Sequence, residues 1–314
     1  MNTLSGRPLL STDVDRLLCV GRSRQIDALS AAASRDVNVL LVAEPGGGLT
    51  TALHQLSHQI DHGQPGRARF INAAGLSSVE SLLEQVAGDL TPTVAVVGRS
   101  SPYARFSRYA NLSQRIVALV DNLAPELGYE AFGHSRDEIW AVPITWVVAC
   151  STHEQARFLQ SPATAFFDLV LVLPALTDVE AASLIRRRTT KAELDAAGLR
   201  AVVDVGEGNP RALVSAARQL VLNFGTVAQL HRDAFARAQI AQLLSRPATM
   251  LLAELQSLGP SSASDQQLQD RLGWTRARLV QVFAELQRSG AVRVQEVRTA
   301  HAGRPRKIYT PMFC

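Results

Sequence analysis

Lysine is almost missing from this chain. Of its 32 Lys and Arg residues only Lys191 and Lys307 are lysines, so arginine is the working cation throughout. Cysteine is scarce too: Cys19, Cys150 and Cys314 lie far apart and form no C-x-x-C pair, which argues against a zinc site or a disulfide framework and favours the cytoplasm. Aromatic residues make up 5% of the chain. No apolar run approaches the ~18 residues of a membrane-spanning helix. The opening MNTLSGRPLLSTDVD has no basic flank followed by an apolar core, so no secretory leader is expected. What is present is 314 residues with 46% apolar and 19% charged side chains, the balance of a globular protein with room for two or three domains.

Charge is unevenly spread. Residues 245–314 hold ten Lys/Arg against five Asp/Glu, a net of +5, whereas the first 244 residues have a net of −1. A polyanionic partner is therefore expected at the C-terminal end.

The stretch Val37 to Leu56, VNVLLVAEPGGGLTTALHQL, carries the clearest chemistry. Val37 to Ala43 reads as a buried strand, Glu44-Pro45-Gly46-Gly47-Gly48 as a glycine-rich turn, and Leu49 onward as a helix. Strand, glycine loop and helix form a phosphate cradle, with backbone N–H groups and a helix N-terminus facing an anion. Glu44, Gly46, Gly47, Gly48, Thr50 and Thr51 are the candidate cradle, with Thr50 offering a hydroxyl to Mg²⁺. The usual spelling is Gly, four residues, Gly-Lys-Ser/Thr. Here Ala43 stands for the first glycine and Leu49 for the lysine. Losing such a charge-assisted contact costs roughly 1.5–3 kcal/mol. The competing reading is a strand-to-helix turn that needs no ligand.

Further buried strands are expected at Arg67 to Ala73, Arg115 to Asp121, Ile144 to Cys150 and Leu169 to Pro174, alternating with helices. That pattern predicts a five-stranded parallel α/β sheet covered on both faces. Residues 1–15 read as a flexible lead, 16–175 as the sheet domain, 176–242 as a small helical domain and 245–314 as a last domain. In the last domain the first helix runs over Ala248 to Leu258. The second opens at Ser264, with Gln267 completing a capping box, and the third is capped by Thr275 and stopped by Gly290. Leu279, Val282, Phe283 and Leu286 form its buried stripe. Two short strands, Val292 to Arg298 and Lys307 to Thr310, make a hairpin, so the domain reads as a winged helix-turn-helix.

Asp121, at the tip of the third strand, is a candidate Mg²⁺ ligand beside Thr50; the alternative is an Asp that caps a turn. Asn122 follows it, and an amide cannot act as a base.

With these motifs in view the chain, over residues 18–314, resembles an AAA+ ATPase of the replication-initiator (origin-recognition and loader-like) type. The resemblance implies a lid after the sheet, a C-terminal winged helix, and sheet order 5-1-4-3-2. It makes Ala43 to Thr51, including Pro45 and Leu49, a degraded Walker A, and Leu119 to Asn122 a partly degraded Walker B. By the same resemblance Gly21 and Arg22 lie on the adenine side, Ser151 and Thr152 follow the strand that carries the first sensor, and Arg211 in Gly208-Asn209-Pro210-Arg211 meets the γ-phosphate. The implied cofactor is ATP or ADP with Mg²⁺, a nucleotide-free site being the alternative. Three departures stand together: no Walker A lysine, no Walker B glutamate, and Ala165-Phe166-Phe167 where many relatives carry an arginine for the neighbouring subunit.

On the third helix of the last domain Arg276, Arg278 and Gln281 face away from the apolar stripe and suit a major groove. Gly303-Arg304-Pro305-Arg306-Lys307 at the hairpin tip resembles the core of an AT-hook, placing Arg304, Arg306 and Lys307 near a narrow minor groove. The expectation is a DNA-binding, non-hydrolysing AAA+-like scaffold or regulator, forming homo- or hetero-oligomers. The rivals are an active initiator-like ATPase, in which Arg22 or a partner's residue replaces the missing lysine, and a protein–protein adaptor that docks through the winged helix.

Overall fold

A computed structural model describes residues 4–63, 67–88, 116–297 and 305–312. The chain divides into two compact units, one of Ser5–Arg188 with Gly208–Arg211, the other of Met1–Leu4, Thr189–Glu207 and Ala212–Cys314.

The first unit comprises α1 (Asp13–Leu17), α2 (Ser23–Ser34), β1 (Val39–Ala43), α3 (Leu49–Gly63), β2 (Ala68–Asn72), α4 (Val79–Ala87), β3 (Ile116–Asp121), α5 (Pro125–Tyr129), α6 (Arg136–Trp140), β4 (Ile144–Ser151), α7 (Gln155–Phe158), β5 (Leu169–Val172) and α8 (Asp178–Arg186). The sheet is parallel, with strand order β2-β3-β4-β1-β5, the order the resemblance implied. The apolar runs alternate between two cores because successive side chains point to opposite faces. Val39, Leu41 and Ala43 join α2 and α3 below the sheet. Leu40 and Val42 join α4 and the segment around Phe132 on the other face. That segment, polar in sequence, is helical: a turn of π-helix, Glu130–His134, links α5 to α6 and buries Phe132.

Two expectations need correction here. Strand β5, at the edge the implied order gave it, is not covered on both faces: Val172 is 53% exposed and Leu169 36%. An apolar run marks a strand without saying whether helices cover it. The N-terminal lead is also structured from residue 5 onward. Asp15 is fully buried in a two-pronged ion pair with Arg7 (2.7 and 2.8 Å), Thr12 caps α1, and Leu9 N–H donates to Thr51 Oγ1 at 3.1 Å.

Boundaries shift for a related reason. Arg187 Nη1 donates to Leu17 O and Cys19 O, and Arg188 to Leu18 O, so α8 is bound into the sheet unit and the division falls after Arg188 instead of at 176.

The second unit contains α9 (Ala196–Gly206), α10 (Pro210–Val221, after its first residues), α11 (Val227–Leu243), α12 (Arg246–Leu258), α13 (Gln266–Leu272), α14 (Arg276–Arg288), β6 (Val292–Val297) and β7 (Arg306–Pro311). Strands β6 and β7 pair antiparallel, and a bridge from Ser261 to Tyr309 adds a short third edge. Leu251, Leu255, Leu268, Leu279, Val282, Phe283, Leu286 and Tyr309 form one core, with Phe283 stacked on Tyr309. Three helices and then a hairpin is the order expected of a winged helix. The cap of α13 is Asp265, which accepts from Leu268 N–H, and not Ser264. Both residue types cap well, so sequence alone left a one-residue ambiguity.

Candidate nucleotide site and nucleic-acid face

The glycine loop curls back on itself. Gly47 N–H donates to Glu44 O at 2.8 Å. A Cβ on Gly47 would meet Glu44 O at 2.8 Å, and Gly46 and Gly48 take left-handed φ of 84° and 98°. The turn therefore needs its glycines. In α3 the first carbonyl used is Gly48 O, accepting from Ala52 N–H at 2.9 Å. The amides of the first turn are thus left facing the loop's mouth, with the positive end of the helix dipole behind them.

Leu49 is half-buried and packs against the core that holds Ile26, Leu29, Leu41 and Leu53. Its backbone belongs to the loop; its side chain belongs to the core. The sequence reading put this residue among the nucleotide contacts, and only its amide remains available for that.

Thr50 and Asp121 come together as expected. The Thr50 hydroxyl donates to Asp121 Oδ2 at 2.6 Å, and Asn122 N–H donates to Oδ1 at 3.0 Å. Burial pushes the Asp121 carboxyl above its ordinary range, against the pull of those two hydrogen bonds. A hydroxyl and one carboxylate at the mouth of an amide-lined loop are hard oxygen donors of the kind Mg²⁺ shares with phosphate and water. The donor set fits that ion, which when bound would neutralise phosphate charge. No cluster of three or more His, Cys, Asp or Glu suited to a metal occurs among the described residues.

Asn122 takes a left-handed φ of 56°, and its Nδ2 donates to Asn72 Oδ1 at 3.1 Å, which ties the ends of β3 and β2. Thr152 N–H donates to Ala43 O at 3.0 Å, and its buried hydroxyl has no partner. That orphan marks a polar position beside the loop's start.

Arg22 does not stand in for the missing lysine. It is buried, with Nη1 donating to Pro174 O at 2.6 Å and Nη2 to Gly47 O at 3.1 Å. Burial lowers its pKa, with Glu180 opposing. Gly21, at φ 73°, is pressed against Glu180 and Leu176, so Gly21-Arg22 braces the loop through carbonyl groups. Gly208 to Arg211 reach the loop as well. Asn209 Nδ2 donates to Pro45 O at 2.9 Å and Arg211 N–H to Gly46 O at 3.3 Å. A Cβ on Gly46 would lie 2.9 Å from Arg211 Cβ. Of the sequence-predicted residues, the structure thus gathers 44–51, 121, 122, 22 and 211 at one place. It adds Asn209, Asn72 and the 7–15 strap, which engages Thr51 through its side-chain oxygen. A Thr-x-x-Asp capping pattern at Thr12–Asp15 was the one signal of that strap.

Phe166 and Phe167 are buried, with Phe166 stacked on Phe132 at 4.7 Å between ring centroids. The segment where the resemblance implied an arginine in many relatives is core here.

On α14, Arg276, Arg278 and Gln281 are exposed, as expected. Arg278 Nη1 lies 3.5 Å from Gln281 Oε1, and its guanidinium sits 5.9 Å from the Trp274 ring centre. At the hairpin the expectation changes. Arg306 is the first residue of β7, paired with Val297, and its Nε donates to Ser262 Oγ at 2.6 Å. It closes the ladder at the turn end of the hairpin and is exposed. Lys307 is exposed and pairs in register with Glu296. Arg304 lies outside the described residues.

No protein-family model and no curated protein matches the chain. Solved structures do. The chain is similar to the Aeropyrum pernix ORC1 protein in complex with DNA, at 15% identity and TM-score 0.54, covering 93% of this chain and 90% of that one. It is equally similar to the Aeropyrum pernix ORC2 protein in ADPNP–ADP complexes, at 15% identity and TM-score 0.54, covering 94% and 91%. The sheet order and these matches over nine-tenths of the chain together show that it shares the fold of these two proteins.

Proposed function

We propose that this chain is a duplex-DNA-binding AAA+-like protein whose nucleotide site holds ATP or ADP with Mg²⁺ without turning it over. In this reading the sheet unit serves as a platform for assembly or regulation. One observation carries the reading: the side chain at the lysine position packs against the core, and Arg22 is committed to the carbonyl groups of Pro174 and Gly47. Transfer of a phosphoryl group needs charge stabilised as it moves, and that is where the missing cation matters most. Binding is less demanding, because loop amides, the helix dipole, the Thr50–Asp121 pair and Arg211 remain. Solved structures of this fold include one with DNA and one with ADPNP and ADP, which supports both ligands as classes. Oligomers with AAA+-type or other subunits are part of the proposal.

The test is direct. Mass spectrometry of freshly isolated protein, with equilibrium titration of ATP and ADP, reports whether the loop holds nucleotide. A phosphate-release assay is expected to show no turnover above the Asp121→Ala variant. Sustained release abolished by that substitution would establish the active-ATPase reading instead.

A further inference from the structure

Helix α14 exposes one large apolar side chain. Val280 is 50% exposed, while Leu279, Val282, Phe283 and Leu286 on the same helix are buried. At 3.6 residues per turn, Arg276, Val280, Ala284 and Arg288 form one i, i+4 row, and Ala277 and Gln281 lie beside it, all exposed. Packing among the described residues does not account for Val280, and a β-branched residue is a poor choice for an exposed helix position on propensity alone.

The surroundings say what kind of surface it faces. Arg276 and Arg288 stand at the two ends of the row, and Arg278 lies on another flank of the helix. The only carboxylate of α14 is Glu285. It is turned away: Glu285 Oε1 accepts from Ser245 N–H at 2.8 Å and Oε2 from the Ser245 hydroxyl at 2.9 Å, at the start of α12. The outward face of α14 is therefore cationic at its rim, amide-bearing at Gln281 and apolar at Val280. Cations at both ends of a row that holds one large apolar side chain suit a groove with anionic walls. The major groove of duplex DNA offers phosphates at its walls, donors and acceptors on its floor, and one apolar group, the 5-methyl of thymine.

We infer that Val280 reads a thymine methyl in the major groove, making it a specificity-determining residue at one base pair. Arg276 and Gln281 flank it on the helix and supply phosphate and base-edge contacts. This rests on the reading of α14 as the DNA-facing helix, and the experiment separates the two.

The full chain is used to select duplexes from a random-sequence pool. Each thymine of the selected site is then replaced in turn by deoxyuridine, which removes only the methyl. For the unmodified protein, one position is expected to lose about fourfold in affinity, the burial of one methyl-sized group. Val280→Ala, which is compatible with the helix, should bind the thymine and deoxyuridine duplexes alike at that position. Val280→Thr keeps a methyl at the same place and should retain the difference. Indifference of the unmodified protein to every replacement, with binding still steeply salt-dependent, overturns this inference and leaves DNA binding standing. Failure to bind any duplex at low salt overturns both.

Discussion

Position 49 is where chemistry and packing meet. A lysine there would trade a half-buried aliphatic contact for a charge at the loop's mouth. Leu49→Lys is expected to lower stability by about 1–2 kcal/mol, through lost apolar burial, and to tighten nucleotide binding about ten- to a hundredfold, through one charge-assisted contact. Thermal melts and calorimetric titration of ATP check the two effects separately. A variant that loses stability and gains no affinity would mean that the amides of residues 48–51 are not presented to a phosphate. At this scale the cradle was legible in sequence, because a strand running into three glycines and two threonines has few other uses. The partner of Thr50 was legible as well, from the strand-end position of Asp121. The work of Arg22 was not: its partners are the carbonyl oxygens of Gly47 and Pro174, and a backbone acceptor leaves no mark on residue identity.

Among the elements, the N-terminal strap is the one that sequence underrated. Its hold is the Asp15 carboxylate, kept below its ordinary pKa mainly by the hydrogen bond from Arg7, with Leu10 N–H assisting. A depressed folded-state value contributes stability above the unfolded-state pKa, near 3.9. That stability is lost as pH falls through the folded-state value. Asp15→Asn should therefore melt lower at neutral pH and show a flatter decline of Tm in the acid range below about pH 4. Circular-dichroism melts across that range give both curves, and overlapping curves would mean that the strap contributes nothing. Helices and strands were mostly predictable because their apolar periods are long and regular. The exposure of β5 and the inclusion of Arg306 in a ladder were not, since each depends on what lies alongside the segment in space.

For the whole molecule, charge segregation is the property that reaches furthest. The +5 balance of residues 245–314 sits on a unit whose helix α14 exposes Arg276, Arg278 and Arg288. Duplex affinity is expected to fall with salt at a logarithmic slope of about −3 to −5, as three to five phosphate contacts would give at about −0.9 each. Arg276→Ala should reduce that slope by about one. Gel-shift titrations at several salt concentrations measure it; a slope near zero would favour docking to protein over DNA.

Sequence by itself determined the order of elements, the parallel sheet and the glycine cradle, because each follows from local periods and from backbone needs that only certain residues meet. It also determined that the lysine is missing. Tertiary structure alone decided what that absence means: whether Leu49 turns to the loop or to the core, whether Arg22 is spare or committed, and which arginines of the last unit stay exposed. Those outcomes depend on partners distant in the chain, and burial and hydrogen-bond pairing are settled only when such partners meet.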